Sequence, residues 1–398
     1  MERVIDRIHD DMEMLEPYSD QLSLGDYGSS ELNTVIKKAW TENSTFRRNR
    51  FFEYQSLGFP DWKKISLKDL HIPSWINNLS APINIEGKGD FKPVNEMSHS
   101  ERKMFEGLDF EGSDRKILLL ADVFHSNGYI FKGFETTLKI STETDTNFPS
   151  YITNLFIIPE NSDVKIHLEN NSEGLQVMNN RFLLQNNSRL EILFSGVTDK
   201  NAFSFINNFY MLEDGSELKI MDFNITDGTT VPHHFILSKG KKSKANIIPA
   251  FFAANRGQID SQYVIKLFGK ESHGIINGIG MLKDFTKAVF RPSVHIVKEA
   301  RGVIGKEQSN IIMLSDSSHA LAIPGLFVTE NEVEAFHSAT VGTVNEDHLY
   351  YLMSRGYSLN EAKKMIVVAM FGTFFNEIKS SFNQEYERLK DDIAKRID

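Results

Sequence analysis

The 398-residue chain contains no cysteine. This absence excludes disulfides, thiolate zinc sites, thiol nucleophiles and any metal cluster that the chain would hold through its own thiolates. An excess of positive charge is also missing, since 44 Lys and Arg stand against 54 Asp and Glu, for a net charge of −10. That balance argues against non-specific binding to nucleic acid or to anionic membranes.

Long apolar runs and targeting signals are absent as well. No stretch approaches the roughly 18 consecutive apolar residues of a spanning helix. The first residues, Met1–Arg7, are charged and lack the apolar core of a secretion signal. We therefore predict a cytoplasmic protein, whose length suggests about two to three domains or one elongated domain with appendages.

The common catalytic signatures do not occur. The sequence has no phosphate-binding P-loop, no G-x-G-x-x-G, no G-x-S-x-G elbow and no H-E-x-x-H. The glycine-rich segment 274–280 lacks a following lysine or helix start, so we interpret it as tight turns.

The first hundred residues have mostly helical periodicity. Val4 to Leu15 and then Ser30 to Ser56 place apolar residues on one helical face. The segment Leu57–Pro60 ends the second run, because Gly and Pro oppose a helix. We predict an N-terminal helical region over residues 1–100.

The middle of the chain has strand-like runs instead, beginning with Ile117–Leu120. A turn-plus-strand phrase recurs with its serine at positions 162, 188, 216 and 243, at intervals of 26, 28 and 27 residues. Such a period in a long β region is typical of a solenoid whose turns stack on one another. We predict a parallel β-helix core over residues 101–330.

Helical signals return after Asn331. Glu346 to Arg355 forms a helical pattern with Gly356 as its cap, and Ser358 with Glu361 is a capping box for the next helix. An apolar stripe further on has the spacing of a docking face. Its residues are Phe382, Tyr386, Leu389 and Ile393. We predict a C-terminal helical subdomain over residues 331–398.

Histidines and acids elsewhere give weak signals. The adjacent His233 and His234 point to opposite faces if they lie on a strand, so they cannot chelate together. His273 and His295 are about one solenoid turn apart and could stack, although ordinary surface positions explain them more simply. Asp222 and Asp227 form an acid pair that is compatible with a polysaccharide-cleaving β-helix enzyme. No basic or aromatic cluster surrounds them in the sequence.

Residues around His337 form a more specific pattern. The matching positions are His337, Ala339, Thr340 and Gly342, then Leu349–Gly356 and Glu361–Ala362, with upstream segments Glu307–Ser315 and Ile323–Leu326 and the looser Leu57–Lys64. This pattern resembles the C-terminal signature of the SufB/SufD family of iron–sulfur cluster assembly proteins. The specific part of the resemblance covers about residues 300–375.

The resemblance implies a mainly β fold, a right-handed parallel β-helix flanked by N- and C-terminal helical subdomains. It also implies pairing with a SufB-type subunit and binding of a SufC-type ATPase through the C-terminal helices. The residues that we assign to ATPase binding are Tyr350, Tyr351, Arg355, Met365, Met370 and Phe374.

His337 corresponds to the family's SufD-side histidine, an implied ligand of a transient cluster at the partner interface. The family's cysteine two residues before it is Ala335 here. This departure indicates the SufD-type role, that of a non-catalytic scaffold with no stably bound cofactor, whose partner supplies the thiolates.

Two alternatives remain open. One is a homodimeric scaffold that binds the ATPase without a SufB-type mate, which would put two copies of His337 across one interface. The other is an unrelated β-helix enzyme or carbohydrate-binding protein. That second alternative requires a groove of carboxylates and secretion, and the sequence indicates neither.

Overall fold

The computed structural model describes residues 26–62, 64–70, 72, 83–110, 112–134, 138–144 and 148–396. The predicted helix from Val4 to Leu15 lies outside these residues. Within them, the N-terminal part consists of four helices, two short strands and one 3₁₀ turn. They are α1 (Ser29–Ile36), α2 (Thr41–Ser56), β1 (Ile83–Glu86), β2 (Gly89–Pro93), the 3₁₀ turn Val94–Glu96, α3 (His99–Gly107) and α4 (Arg115–Phe124).

The helical run predicted from Ser30 to Ser56 is divided into two helices. Trp40 lies between them with extended backbone angles and forms the N-cap of α2. The run ends at Ser56, with Leu57 as its extended C-cap. The Gly-Pro break was therefore placed correctly.

The prediction of a strand at Ile117–Leu120 is wrong, because these residues lie in α4. Every residue of this helix from Lys116 to Phe124 is buried. A short apolar run such as Ile117–Leu120 looks the same for a buried helix and for a buried strand.

The remainder of the chain up to Thr343 is built from consecutive strands. Their bounds are β3 (Tyr129–Phe134), β4 (Leu138–Thr144), β5 (Ser150–Ile158), β6 (Asp163–Ser172), β7 (Leu175–Leu184), β8 (Arg189–Thr198), β9 (Phe203–Leu212), β10 (Glu217–Thr226), β11 (Thr229–Ser238), β12 (Lys244–Ala253), β13 (Gln258–Leu267), β14 (His273–Leu282), β15 (Lys287–Ile296), β16 (Val303–Met313), β17 (His319–Ala322), β18 (Gly325–Val328) and β19 (Val333–Thr343).

The strands form two sheets that alternate along the chain, which confirms the predicted parallel β-helix. Even-numbered strands from β4 to β16 pair in sequence order in a nine-stranded sheet, with β1 at one end and β19 at the other. Odd-numbered strands from β3 to β17, together with β2 and β18, form the ten-stranded sheet opposite. Equivalent residues of successive turns are in register, as Leu190 is with Val164 and Leu218.

The recurring serines form the turns of the solenoid. The hydroxyls of Ser162, Ser188, Ser216 and Ser243 each donate to the carbonyl three residues earlier, at distances of 2.6, 2.6, 2.7 and 2.8 Å. The preceding residue has a positive φ in each turn, for example 55° at Asn187 and 66° at Gly215. The periodic signal read from the sequence therefore corresponds to one repeated turn geometry.

The glycine-rich segment 274–280 lies within strand β14, so its interpretation as tight turns is wrong. A Cβ at Gly278 would lie 2.3 Å from the ring of Phe290, and one at Gly280 would lie 2.0 Å from the ring of Phe251. These glycines leave space for large rings from neighbouring strands inside the solenoid.

Helices do not begin directly after Asn331, contrary to expectation, because strand β19 comes first. The C-terminal helices are α5 (Glu346–Ser354), α6 (Leu359–Met370), α7 (Gly372–Ser381) and α8 (Asn383–Arg396). The predicted caps are confirmed, since Gly356 has φ of 97° and Ser358 forms the capping box with Glu361. In the described part of the chain, no helix is long and apolar enough to cross a membrane.

Candidate functional site

Strand β19 lies at the end of the nine-stranded sheet, and its 11 residues are exposed or only partly buried. It pairs with β16 on one side, and no strand among the described residues pairs with its other edge. Phe336 and Val341 on this strand are 54% and 40% exposed. A long edge strand with apolar side chains is a template for pairing with another chain, because its backbone donors and acceptors are available.

His337 lies in the middle of β19, and its side chain is exposed. Its register partner on β16 is Glu307, so the two side chains lie on the same face of the sheet. Glu307 is fully buried, and burial raises the pKa of its carboxyl. The hydrogen bond from Ser309 and the charge of His337 partly oppose this rise.

Four of the six residues assigned to ATPase binding lie on an exposed surface of α5 and α6. Tyr350, Tyr351 and Met365 are 77%, 55% and 43% exposed. The Arg355 guanidinium lies over the Tyr351 ring, 5.1 Å from its centroid. Helix α5 has no buried residue at all, so its side chains contribute little to the core of this chain.

The other two residues, Met370 and Phe374, have a different environment. Phe374 is fully buried, with its ring centroid 5.2 Å from that of Phe223 on β10. Met370 is partly buried and packs against the same cluster. In this structure both residues hold the C-terminal helices on the solenoid, so their side chains do not form part of the exposed α5–α6 surface.

The apolar stripe formed by Phe382 and α8 also packs on the solenoid, as expected for a docking face. Phe382, Leu389 and Ile393 are buried in the same cluster as β10 and β12 residues, and Tyr386 is partly buried against it. The neighbour that the stripe contacts is therefore the chain's own β-helix.

Polar contacts fix the same helices to the side of the nine-stranded sheet. Arg388 pairs with Glu169, and Glu385 lies 3.3 Å from Nδ1 of His167. The adjacent His167 imidazole lowers the pKa of Glu385. Burial opposes ionisation of Glu169, but the adjacent Arg388 guanidinium nevertheless lowers its pKa.

Among the described residues, the other histidine and acid pairs noted in the sequence do not form a second site. His273 and His295 lie on strands of opposite sheets and do not stack on each other. The His295 ring instead stacks on the Phe327 ring, with 4.4 Å between the ring centroids. Asp222 is inside the solenoid, whereas Asp227 bonds Arg396 on the outside at 2.5 Å. The carboxylate groove of a β-helix hydrolase is not formed by this pair.

A buried polar network inside the solenoid was not predicted from the sequence. The hydroxyl of Tyr263 donates to Asp222 at 2.6 Å, and His234 contacts Asp222 at 3.2 Å and Tyr210 at 3.2 Å. His233 faces the opposite side of β11, against Phe110, as the strand alternation predicted. The repeat register pairs His234 with Tyr263, whereas Asp222 comes from the opposite sheet, so no local sequence signal indicated the network.

No three His, Asp or Glu side chains converge on a metal-binding geometry in the ranges that the structure describes. His337 and its neighbour Glu307 therefore offer at most a part of a metal site. The chain also has no thiolate to add to them.

Comparison with known proteins identifies the fold and its functional context. A family model described as the SufBD core domain of SUF system FeS cluster assembly matches residues 141–370, more than half of the chain. The match includes strands β5 to β19, His337 and helices α5 and α6.

Individual relatives agree with this family. The iron–sulfur cluster assembly protein SufD of Bacillus subtilis is 33% identical over 125 residues, which cover 31% of this chain and 29% of the relative. A SufBD family protein of Staphylococcus saprophyticus is 35% identical over 107 residues, which cover 27% of this chain and 23% of the relative. A SufBD family protein of Staphylococcus aureus USA300 is 30% identical over 160 residues, which cover 40% of this chain and 34% of the relative.

The alignments span about a quarter to a third of the length of these curated relatives. The family model is the broader match, and it covers the solenoid together with its edge strand. The chain therefore belongs to the SufB/SufD family of SUF-system iron–sulfur cluster assembly proteins, and its lack of cysteine fits the SufD type.

Proposed function

We propose that the chain is a non-catalytic scaffold subunit of a SUF-type assembly complex and that it pairs with a cysteine-bearing SufB-type subunit through β19. The observation that carries this proposal is the exposed strand β19, with His337 at its centre and its outer edge unpaired among the described residues. An edge of 11 residues supplies enough backbone groups for a continuous ladder with a partner strand.

Pairing at this edge would bring His337 next to the partner's strand. A neutral imidazole is a good iron ligand, whereas this chain has no thiolate to receive sulfur. The cluster is then the cargo of the complex, bound at the junction by the partner's cysteine thiolate and on this side by the imidazole nitrogen. The division of ligands explains why a family member can function without cysteine.

We assign ATPase binding to the exposed aromatic surface of α5. Tyr350 and Tyr351 are the type of residue that dominates binding energy at protein interfaces, and both are more than half exposed. Only Val344 and Asn345 separate β19 from α5. A displacement of α5 by the ATPase would thus act directly on the strand that pairs with the partner.

Substitution of an edge residue tests the pairing. Phe336 lies on the face of β19 opposite to His337 and is 54% exposed, so Phe336→Asp leaves the core unchanged but puts a charge in the junction. We expect this variant to fold normally and to lose the SufB-type subunit when the proteins are co-expressed and purified through this chain.

Phe285→Asp is the matched control, because Phe285 is 69% exposed and lies between β14 and β15, away from the edge. This control should retain the partner. Equal recovery of the partner with both variants would refute pairing through β19. Recovery of a stable dimer of this chain alone, sensitive to Phe336→Asp, would instead support the homodimeric scaffold.

A further inference from the structure

A column of aliphatic side chains runs through the interior of the nine-stranded sheet. Its members are register partners in successive turns, and each is fully buried. They are Leu138, Ile166, Ile192, Ile220, Ile247 and Ile276. The column continues with Glu307 and ends with His337. The last two turns thus replace an aliphatic residue first by a carboxylate and then by an imidazole.

The carboxylate of Glu307 is incompletely paired. One oxygen, Oε1, accepts a hydrogen bond from the Ser309 hydroxyl at 2.6 Å. The other, Oε2, is buried and has no hydrogen-bond partner among the described residues. A buried polar atom without a partner is unfavourable, and an aliphatic side chain would suit this position of the column better. The carboxylate therefore requires a reason other than stability.

The neighbours of the two residues on the same inner face are small. Gly305 and Ser309 flank Glu307 on β16, and Ala335 and Ala339 flank His337 on β19. All four residues are small. The buried carboxylate and the exposed imidazole consequently lie side by side at the open end of the solenoid, with no large side chain beside them on their own strands.

We propose that Glu307 is a second iron-binding group, forming with His337 a carboxylate–imidazole half-site for Fe(II) at the end of the solenoid. This inference rests on the proposed function, since iron is there the cargo of the complex. Oxygen and nitrogen donors of this kind bind Fe(II), and the remaining positions are left to water or to the partner's ligands. Among described residues no third His, Asp or Glu joins them, as expected for a half-site.

Anaerobic equilibrium dialysis against ferrous ammonium sulfate tests the proposal, with the full chain alone and with the subunits that co-purify with it. We expect Glu307→Gln to weaken Fe(II) binding by about tenfold or more, the size expected for groups around a metal. Glutamine can still accept a hydrogen bond from the imidazole. Iron binding that is unchanged in Glu307→Gln would therefore overturn the assignment of Glu307 as a ligand.

Two further variants complete the test. Glu334→Gln is the matched control, because Glu334 is exposed on the same strand but faces away from His337, and it should bind Fe(II) like the unaltered chain. Glu307→Ile extends the aliphatic column, so we expect a higher midpoint of thermal unfolding together with weak iron binding. A lower midpoint would show that the carboxylate is a structural requirement and would contradict the proposal.

The outcomes also separate this inference from the proposed function. If the subunits assemble and Glu307→Gln still binds Fe(II) normally, the half-site is refuted and the scaffold role stands. If Glu307→Gln lowers iron binding but no partner assembles even with the unaltered chain, the half-site stands and the pairing is refuted.

Discussion

Ala335 and His337 occupy adjacent positions on one face of β19, where a family cysteine and histidine would otherwise lie. The sequence alone identified this pair, because the flanking motif is specific. The same motif contains Glu307, yet nothing in the local sequence indicated that this glutamate is buried beside His337. That relationship depends on the strand register, which joins residues 30 positions apart.

His337→Ala tests the role of the imidazole. Because the side chain is exposed and lies on an edge strand, we expect the unfolding free energy to change by less than about 0.5 kcal/mol. Binding of the ATPase should also be unchanged, whereas the yield of iron–sulfur cluster in the reconstituted complex should fall. The measurement is cluster absorbance per complex, and an unchanged yield would exclude His337 as a ligand.

Helices α5 and α6 show how far periodicity predicts an interface. Six residues were assigned to ATPase binding from one motif and one helical face. The structure separates the exposed Tyr350, Tyr351, Arg355 and Met365 from Met370 and Phe374, which pack on the solenoid. An apolar stripe predicts that a helix packs against something, but it does not distinguish the chain's own sheet from a partner.

The double substitution Tyr350→Ser and Tyr351→Ser tests the exposed surface. Neither residue is buried, so the fold should be retained, while affinity for the SufC-type ATPase should fall by about tenfold or more. The control is Phe52→Ser, since Phe52 is 72% exposed on α2 at the other end of the chain. Equal affinities measured by calorimetry for both variants would place the ATPase elsewhere.

The solenoid as a whole was predictable because it repeats. The serine period gave the turns, and the two-sheet β-helix follows from stacking such turns. Helix α4 was missed because it is buried on all sides, and β19 was missed because the expected helices were placed directly after Asn331. Both errors concern segments whose structure is set by tertiary packing rather than by their own pattern.

The docking of α8 on the solenoid should depend on pH. Glu169 and Glu385, which form the polar contacts of α8, have pKa values below the ordinary 4.5 in the folded state. Carboxylates with depressed pKa values stabilise the fold above pH 4.5, and this contribution is lost as the pH falls through their lower folded values. We therefore expect α8 to detach in acid before the solenoid unfolds.

Amide hydrogen exchange, corrected for its intrinsic pH dependence, measures this detachment. Protection over residues 383–396 should fall below pH 4.5 while protection of the inner strands is retained. Glu385→Gln should reduce protection of α8 already at neutral pH and make it less sensitive to acid. Loss of protection in α8 and in the strands together would contradict the account.

Pairing at β19 would make this SufD-type chain one side of a two-subunit scaffold. Native mass spectrometry of the complex, purified after co-expression with a SufB-type subunit and a SufC-type ATPase, measures this most directly. We predict a particle that contains this chain, the cysteine-bearing subunit and the ATPase, and that loses the cysteine-bearing subunit with Phe336→Asp. A chain that emerges as a monomer under the same conditions would contradict the pairing.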